Sequence, residues 1–541
     1  MVEDSAKVAQ GVIQEFARLS GNRGVFESHW EECSRYVLPA YSGTFNANNL
    51  QTPGAKKTQY QYDTTAVTAN VRFAAVMESM LTPRSSKWHR VVPSDRYLMK
   101  SRAVRLYFEE ATDALFKYRY APKANFSGQN HQNYTGLGAF GTGCMFVDAL
   151  AGEPGLRYKA IHLGEIYFAE NHQGIIDRAI RRFQFTARQA HQKWGDKCDP
   201  EIKTSAETTP EKPYYFLHYV KPRADIDVQR ADYKGMEYAS YYVCEKSKTL
   251  MSEEGYRTFP YAISRYTQAI GELYGRSPAM ECLAAIKVLN EQQKTLLTQG
   301  HRALNPTLLA HDDGIINSVR PGAVNVGGVT AEGRPLVHAL PVGNLTLARD
   351  LMDPQRMAIN DAFLTTLFQI LAETPQMTAT EVLERTREKG MLLSPTMGRQ
   401  QSEYLGPLIE RELDVLNQQG LLPQMRQELV DAKGSYAVEY DSPLSRAAKA
   451  EEAAGLMRTI EMALAVVNVT QNPEPLDHFA WDTILPEVAD IQAVPQRWLR
   501  EQKAVDEIRA GRKQAQDAQM AIQAGPTIVA LTKATGAPAA R

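Results

Sequence analysis

The chain has 541 residues, with 61 Lys and Arg against 62 Asp and Glu, for a formal net charge of −1. Its pI near 6.9 lacks the global basicity of a domain that grips duplex DNA, where values above about 9 are usual. With 43% hydrophobic and 23% charged residues it is not a disordered chain; no apolar run approaches the roughly 18 residues of a spanning helix, and the acidic start predicts no secretory leader.

The first third is predicted to be helical. Apolar stripes run from Lys7 to Leu19 and from Val25 to Leu38, and Asp63 is placed to cap a helix ending at Leu81, before Thr82-Pro83. Ser101 to Tyr120 is a further amphipathic stretch, stopped by Pro122. From Cys144 the texture changes to short aromatic and β-branched runs: Cys144 to Val147, Tyr158 to Phe168, Ala179 to Phe185, Tyr214 to Val220, Tyr238 to Cys244 and Thr258 to Tyr266. Turn residues separate them, which predicts a small antiparallel unit interrupted by one helix, Thr186 to Trp194, closed by Gly195.

Ser277-Pro278 is a cap followed by a first-turn proline, and the helix it opens runs close to thirty residues, to Asn305-Pro306, about 40 Å. Cys282, Ile286, Leu289, Gln293, Leu296, Gly300 and Ala303 recur by four and three, a seam for a neighbouring helix. A Gly- and Pro-punctuated excursion, Thr307 to Pro341, has strand-like pieces around Ile315, Val324 and Val337. Asp353-Pro354 repeats the cap device and opens a returning helix through Phe363, Leu367 and Leu371. Thr378 and Glu381 form a capping box for a charged helix ending at Gly390, and Met391 to Ser394 is a short apolar loop. The next helix opens at Ser394-Pro395, closes at Gly420 and is kinked by Gly406-Pro407. Ser442-Pro443 begins an Ala-rich helix and Pro495 a last long one. The narrow seam of the last helix (Ala504, Ile508, Gly511, Ala515, Ala518, Ile522) suits packing against identical helices or against its own subunit. The tail from Gly525 reads as loosely ordered.

Little in this sequence assembles catalysis. Five widely spaced cysteines (Cys33, Cys144, Cys198, Cys244, Cys282) with no Cys-x-x-Cys pair predict reduced, buried thiols of a cytosolic compartment rather than a zinc ribbon or disulfide framework. Gly136, Gly138 and Gly141 match G-x-G-x-x-G, but a dinucleotide fold needs a strand before the motif and a helix after it; here the order is reversed, and the glycines are read as a helix-to-strand junction. A phosphate loop, H-E-x-x-H and G-x-S-x-G are missing, and His311-Asp312-Asp313-Gly314 reads as a solvated turn. No enzyme, cofactor or metal is expected. One charge cluster stands out: Arg84, Lys87, Arg90, Arg96, Lys100, Arg102 and Arg105 face only Asp95, with Trp88 and Tyr97 interleaved. It is open to three readings: phosphate contact, a solvated face, or cations paired with acids of an adjacent subunit.

The order of elements and several strings resemble the portal, or head-to-tail connector, proteins of podovirus-type bacteriophages. The strings are Leu81-Thr-Pro-Arg-Ser-Ser-Lys-Trp88, Phe140-Gly-Thr-Gly-Cys-Met-Phe-Val147, Arg182-Phe-Gln-Phe-Thr-Ala-Arg-Gln-Ala190 with Trp194-Gly195, and Tyr274-Gly-Arg-Ser-Pro278. Thr378-Ala-Thr-Glu-Val-Leu-Glu384 leading to Glu403-Tyr-Leu-Gly-Pro-Leu-Ile-Glu-Arg411 is another. The resemblance extends from the first helix through Pro423; beyond it the match is mainly one of helical character.

The resemblance implies an α+β, predominantly α, portal fold. A wing spans 1–276, helical to about 143 and β-rich over about 144–266; stem helices at 277–306 and 342–373 flank a β-containing clip at 307–341. The wing returns over 374–423 with a tunnel loop and a kinked helix, and 424–541 form a helical crown. By the same resemblance Arg387, Lys389, Met391, Leu392, Leu393 and Arg399 face a DNA channel, Asp312, Asp313, Arg320, Glu332 and Arg334 form a clip docking surface, and Ile286, Leu289, Gln293 and Leu296 pack the stem. It further implies a non-enzymatic homo-dodecameric ring at one capsid vertex of the virion, assembled in the host cytoplasm. Its partners would be double-stranded DNA without sequence preference, the terminase large subunit, a tail adaptor, the capsid and internal core or scaffolding proteins, with no membrane. From Thr378 to Asp414 five bases stand among seven acids, a mixture that lets a polyanion slide because phosphate contacts do not accumulate. Lys389 or Arg399 is expected to make weak phosphate contacts. The alternative is a nucleic-acid-binding enzyme using the 84–105 cluster; a tail adaptor ring is disfavoured because such adaptors are much smaller chains.

Overall fold

A computed structural model describes residues 2–45, 54–95, 97–98, 101–227, 229–230, 232–310, 320, 324, 326–340, 345–365, 395–425, 429–430, 435–440, 443–470, 474–491, 494, 498–500, 504–517 and 519. Two compact units divide the chain: Met1–Trp88 with Leu115–Leu422, and His89–Ala114 with Pro423–Arg541.

In the first unit the opening helices are α1 (Val2–Gly21), α2 (Gly24–Val37) and α3 (Thr65–Leu81). As expected, the Asp63 carboxylate accepts the Thr65 N–H at 2.8 Å, supplying a partner for a donor that the first helical turn leaves open. Helix α4 (Arg102–Arg119) belongs to the second unit as far as Ala114 and to the first from Leu115, and α5 (Phe126–Phe140) follows in the first. The glycine motif ends α5 and enters β2 (Thr142–Ala149), the helix-to-strand junction read from its order. Two of its glycines have a steric reason, whereas a Cβ at Gly136 would meet nothing within 4 Å. Gly141 takes φ 74, and a Cβ there would lie 2.4 Å from the Gly275 carbonyl oxygen; at Gly138 it would lie 2.2 Å from Asn70 Oδ1 and 2.7 Å from the Phe73 ring on α3.

Strands β3 (Leu156–Ala160), β2 and β9 (Tyr261–Arg265) make an antiparallel sheet of order β3-β2-β9. A second sheet contains β4 (Ile166–Glu170), β5 (Ile176–Thr186), β6 (Pro213–Pro222), β7 (Tyr238–Cys244) and β8 (Thr249–Tyr256), in sequence order and antiparallel. Successive side chains of a strand point to opposite faces, and both faces here are covered by helices. Phe216 joins Phe183 and Tyr242 beneath α6 (Ala187–Trp194) and α7 (Pro200–Thr208); its neighbour Leu217 joins Ile180 and Val243 against Ala9, Val12 and Leu19 of α1. His218 is a satisfied core histidine, stacked 4.1 Å from Tyr242 and within 2.6 Å of the Tyr261 hydroxyl and 2.9 Å of Ser240 Oγ. Burial, then Lys193 and Arg181, hold its pKa well below the ordinary value. All five cysteines are buried and free.

Several expectations change. Tyr158 to Phe168 is two strands rather than one, because residues 161–165 turn between the sheets. β8 was not foreseen: Thr249–Tyr256 carries two glutamates and a glycine, which weaken its β pattern. Two helices, not one, interrupt the strands, since Asp199 caps α7 by accepting the Glu201 N–H at 2.9 Å ahead of Pro200. The long helix is broken at Cys282 into α8 (Pro278–Glu281) and α9 (Leu283–Leu304).

In the excursion, β10 (Leu308–Ala310) pairs with β11 (Val337–Ala339), whereas Val324 is not in a strand. The returning helix α10 (Leu345–Ala362) begins eight residues before Asp353, so Pro354 is interior instead of first-turn. Asp353 therefore does not cap a helix; its carboxylate pairs with Arg356 one turn on, at 3.2 Å. The helix breaks at Phe363 and Leu364, the latter at φ 59. The expected kink takes the form of a π-helical turn, Gln400–Leu405, between a helical start at 395–399 and α11 (Gly406–Gln418). A π turn relocates the hydrogen-bond mismatch that Pro407 creates, since proline offers no N–H.

The second unit holds β1 (His89–Pro93), which pairs antiparallel with β12 (Tyr436–Tyr440), Val91 opposite Val438. Thr112 on α4 accepts the Val91 N–H at 3.1 Å. Neither strand was expected. The Ala-rich helix is α12 (Pro443–Thr470), followed by α13 (Trp481–Ile491). The last helix is described over 504–517, and residues 498–500 are not α-helical, so it does not run unbroken from Pro495. The expected elements at Ile315, Leu367, Leu371 and Thr378 to Ser394, the turn at His311 to Gly314 and the tail from Gly525 lie outside the described residues.

Gly141→Ala is expected to cost more than about 1 kcal/mol, because both the positive φ and the facing Gly275 backbone oppose a side chain. Thermal unfolding of the purified chain checks this, and an unchanged midpoint would contradict it.

Candidate functional site

Three groups of residues bear on function: the projecting helix–strand–helix excursion, the anchorage of the helix after residue 394, and the basic cluster at 84–105.

The excursion is rooted in the first unit and increasingly exposed away from its root. Leu283, Ile286 and Leu289 of α9 and Met352 and Ile359 of α10 are buried, where the two helices pack together. Of the expected stem residues Ile286 and Leu289 are thus core, whereas Gln293 and Leu296 are half-buried. Asn290 fixes the root: its Oδ1 accepts the Tyr62 N–H at 2.8 Å and its Nδ2 donates to the Tyr60 carbonyl at 2.9 Å. Arg356 adds an ion pair to Asp63 at 3.1 Å. Leu297 and Leu304, further along α9, and Leu351 and Met357, beside the buried positions of α10, are 45–87% exposed. Arg320, Glu332 and Arg334 lie exposed in the connecting segment, Arg334 within 3.8 Å of Glu332; Asp312 and Asp313 lie outside the described residues.

The helix after residue 394 is held by buried charge. Arg119 and Glu412 are both fully buried and form a two-point pair, Arg119 Nε donating to Glu412 Oε1 at 3.0 Å. The Tyr158 hydroxyl donates to the same oxygen at 2.6 Å. Burial by itself lowers the Arg119 pKa, and Glu412 overrides that to keep the guanidinium charged. Arg265 on β9 bridges Glu403, at 2.9 Å, and Glu170. Arg411 reaches Asp414 at 2.9 Å and Asp148 at 3.3 Å. Inside the π turn Gln400 Nε2 donates to the Arg265 carbonyl at 2.9 Å, and one turn on the Tyr404 hydroxyl donates to Asn130 Oδ1 at 2.7 Å. Arg399, expected to face a channel, donates to Gln268 Oε1 at 3.1 Å and lies 3.5 Å from Glu403. Arg387, Lys389, Met391, Leu392 and Leu393 lie outside the described residues.

None of these anchors except Arg399 was singled out from the sequence. A signal existed: Arg411 and Glu412 interrupt the apolar positions Leu408, Ile409, Leu413 and Leu416 of an otherwise inward helix face.

The basic cluster falls in both units. Arg84 and Lys87 occupy an exposed turn of the first unit; Arg90, Arg102 and Arg105 belong to the second, where Arg90 pairs with Glu439 at 3.1 Å. The interleaved Trp88 is a buried core residue whose indole N–H donates to the Tyr120 hydroxyl at 3.2 Å, whereas Tyr97 is exposed. Arg96 and Lys100 lie outside the described residues. Among the described residues no cluster of His, Cys, Asp or Glu could hold a metal ion, and no helix is long and apolar enough to cross a membrane.

The described residues thus hold a helix-bounded β unit and a helix pair that leaves several apolar side chains exposed. Residues 9–499 match the family of bacteriophage head to tail connecting proteins, and the chain belongs to that family. It is 30% identical over 530 residues to a probable portal protein of Bordetella phage BPP-1, covering 95% of this chain and 92% of that one. It is 26% identical over 521 residues to a portal protein of Salmonella phage epsilon15, covering 94% and 92%. Among solved structures, a chain from the neck of an empty GTA particle matches with a TM-score of 0.35 at 10% identity, over 73% of this chain and 87% of that one; likeness at that level adds no argument.

Glu412→Gln, which leaves Arg119 buried without its counter-charge, is expected to cost about 3–5 kcal/mol. Replacing both partners, Arg119→Met with Glu412→Met, should recover most of that loss. Urea denaturation of the three proteins checks both, and a Glu412→Gln loss under about 1 kcal/mol would contradict the assignment.

Proposed function

We propose that this chain is the portal subunit of a tailed phage: twelve copies form a ring at one capsid vertex, through which double-stranded DNA enters during packaging and leaves at ejection. The observation that carries the reading is the family match over residues 9–499, nearly the whole chain. The helix pair α9 and α10 is consistent with it, since Leu297, Leu304, Leu351 and Met357 are apolar side chains left exposed among the described residues. Each such side chain is worth about 1.5–3 kcal/mol when fully buried. In this reading the helix pair is the stem, the β10–β11 segment is the clip that meets the terminase large subunit and later a tail adaptor, and the second unit contributes the crown. The capsid and internal core or scaffolding proteins are further partners. The role is mechanical and not enzymatic.

Charge placement explains passage without gripping. A duplex carries about one charge per 1.7 Å, so twelve copies of any strong cation would sum to a brake. Of the five bases between Thr378 and Asp414, Arg411 is buried in carboxylate pairs and Arg399 is engaged by Gln268 and Glu403. Lys389 is therefore the better candidate for a weak phosphate contact.

Native mass spectrometry should find a closed ring of many 60.4 kDa subunits. A stable monomer with metal- or nucleotide-dependent nuclease activity would favour instead an enzyme using the 84–105 cluster. Leu297→Asp combined with Met357→Asp should abolish the ring while leaving a folded monomer by circular dichroism. Deleting Met391 to Ser394 should spare the ring and impair DNA retention, and normal packaging with the loop removed would argue against its facing the channel.

A further inference from the structure

A ring of identical subunits is closed by heterologous contacts, in which one surface meets a different surface of the next copy. The first unit carries a groove of about 480 Å³ that meets the chemical requirement for one side of such a contact. Its walls are largely apolar, from Ile175, Tyr238, Phe259 and Pro407, with the Tyr238 and Phe259 rings 5.4 Å apart and Ile175 59% exposed. Two carboxylates, Glu237 and Glu410, stand over these walls. Glu403 and Arg265, deeper in the groove, neutralise each other at 2.9 Å. Neither Glu237 nor Glu410 has an ion pair among the described residues, and Arg257 on the same lining pairs with neither. The apolar surroundings, then Glu237 and Asp414, raise the Glu410 pKa, the mark of crowded acids without a counter-cation.

Aromatic faces beside paired carboxylates form a receptor for a guanidinium, which stacks on rings and bonds carboxylates in one plane. The same unit displays such a group. Arg84, on the exposed turn that follows α3, makes no ion pair or hydrogen bond among the described residues, and Lys87 adds a second positive charge to that turn. We propose that the groove between the β4–β5 hairpin, Phe259 and α11 is an inter-subunit socket, occupied by Arg84 from a neighbouring copy of this chain. The socket rests on the ring reading, which supplies the neighbour; it gives the conspicuous basic turn an acidic partner rather than DNA.

A charge swap in the full-length chain tests it, with ring dissociation followed by mass photometry across a salt series. Glu410→Arg alone and Arg84→Glu alone should each weaken subunit association about tenfold or more, because like charges then face each other. The double variant should return to within about threefold of the unmodified chain, since the two effects share one contact. Circular dichroism melting shows that each variant is folded, and either single variant read against the double decides the matter if the other is not. Rings unchanged by either reversal, or a double variant no better than the singles, overturn the socket and leave the ring reading intact. An unmodified chain that stays monomeric overturns both.

Discussion

The first unit depends on one buried ion pair. Arg119 ends α4, Glu412 sits mid-way along α11, and Tyr158 lies on β3, yet all three meet without solvent. The guanidinium also lies 4.6 Å from the Trp88 ring centre and 4.9 Å from that of Phe116. Removing two charges from water costs several kcal/mol each, and only a geometry that meets nearly every lone pair offsets it. Such a pair adds little net stability over a hydrophobic filling. What it enforces is position, because any other packing of α11 would leave a bare charge in the core. The helix that returns from residue 394 is thereby held against the β unit, and Arg265 and Arg411 repeat the device along its length.

This use of cations changes the meaning of the chain's charge balance. Arg23 is buried, its guanidinium 3.7 Å from the Tyr167 ring and bonded to the carbonyls of Leu163 and Ile166. Together with Arg119, Arg265 and Arg411 it is a structural cation, unavailable to any polyanion. The total therefore counts several arginines that are committed inside the subunit. In the proposed reading as a conduit for DNA, cations buried in the subunit would hold the fold without slowing the cargo.

Most of the architecture was legible in the sequence, and the exceptions share a cause. Local devices were read correctly where one residue type dictates one geometry: Asp63 before α3, Gly141 and Gly195 at helix ends, and Ser277-Pro278. Cap-and-proline reasoning failed at Asp353-Pro354, because packing of α10 on α9 carries the helix across a proline that locally favours a start. It was not applied at Asp199-Pro200, which opens the short helix α7. The strands β1 and β12 pair residues more than three hundred positions apart, which no local pattern announces. The buried anchors were hidden for a related reason: a charged residue is presumed solvated until its partner, distant in sequence, is seen. Trp88 is the reverse case, an aromatic among cations that looks like a stacking platform and is core.

The π turn at Gln400–Leu405 stores one residue more than an α turn of the same span. Converting it to α geometry would expel that residue and rotate everything before it by about 100° while moving it about 1.5 Å along the axis. Such a step would have to break the bonds from Gln400 to the Arg265 carbonyl, from Tyr404 to Asn130 and from Arg399 to Gln268, and disturb the Arg265–Glu403 pair. Beyond them α11 is immobilised by Arg119 and Arg411, so the whole displacement would appear on the side of residues 395–399. In mechanical terms the helix is a fixed shaft that carries one spare residue at the end nearer residue 395.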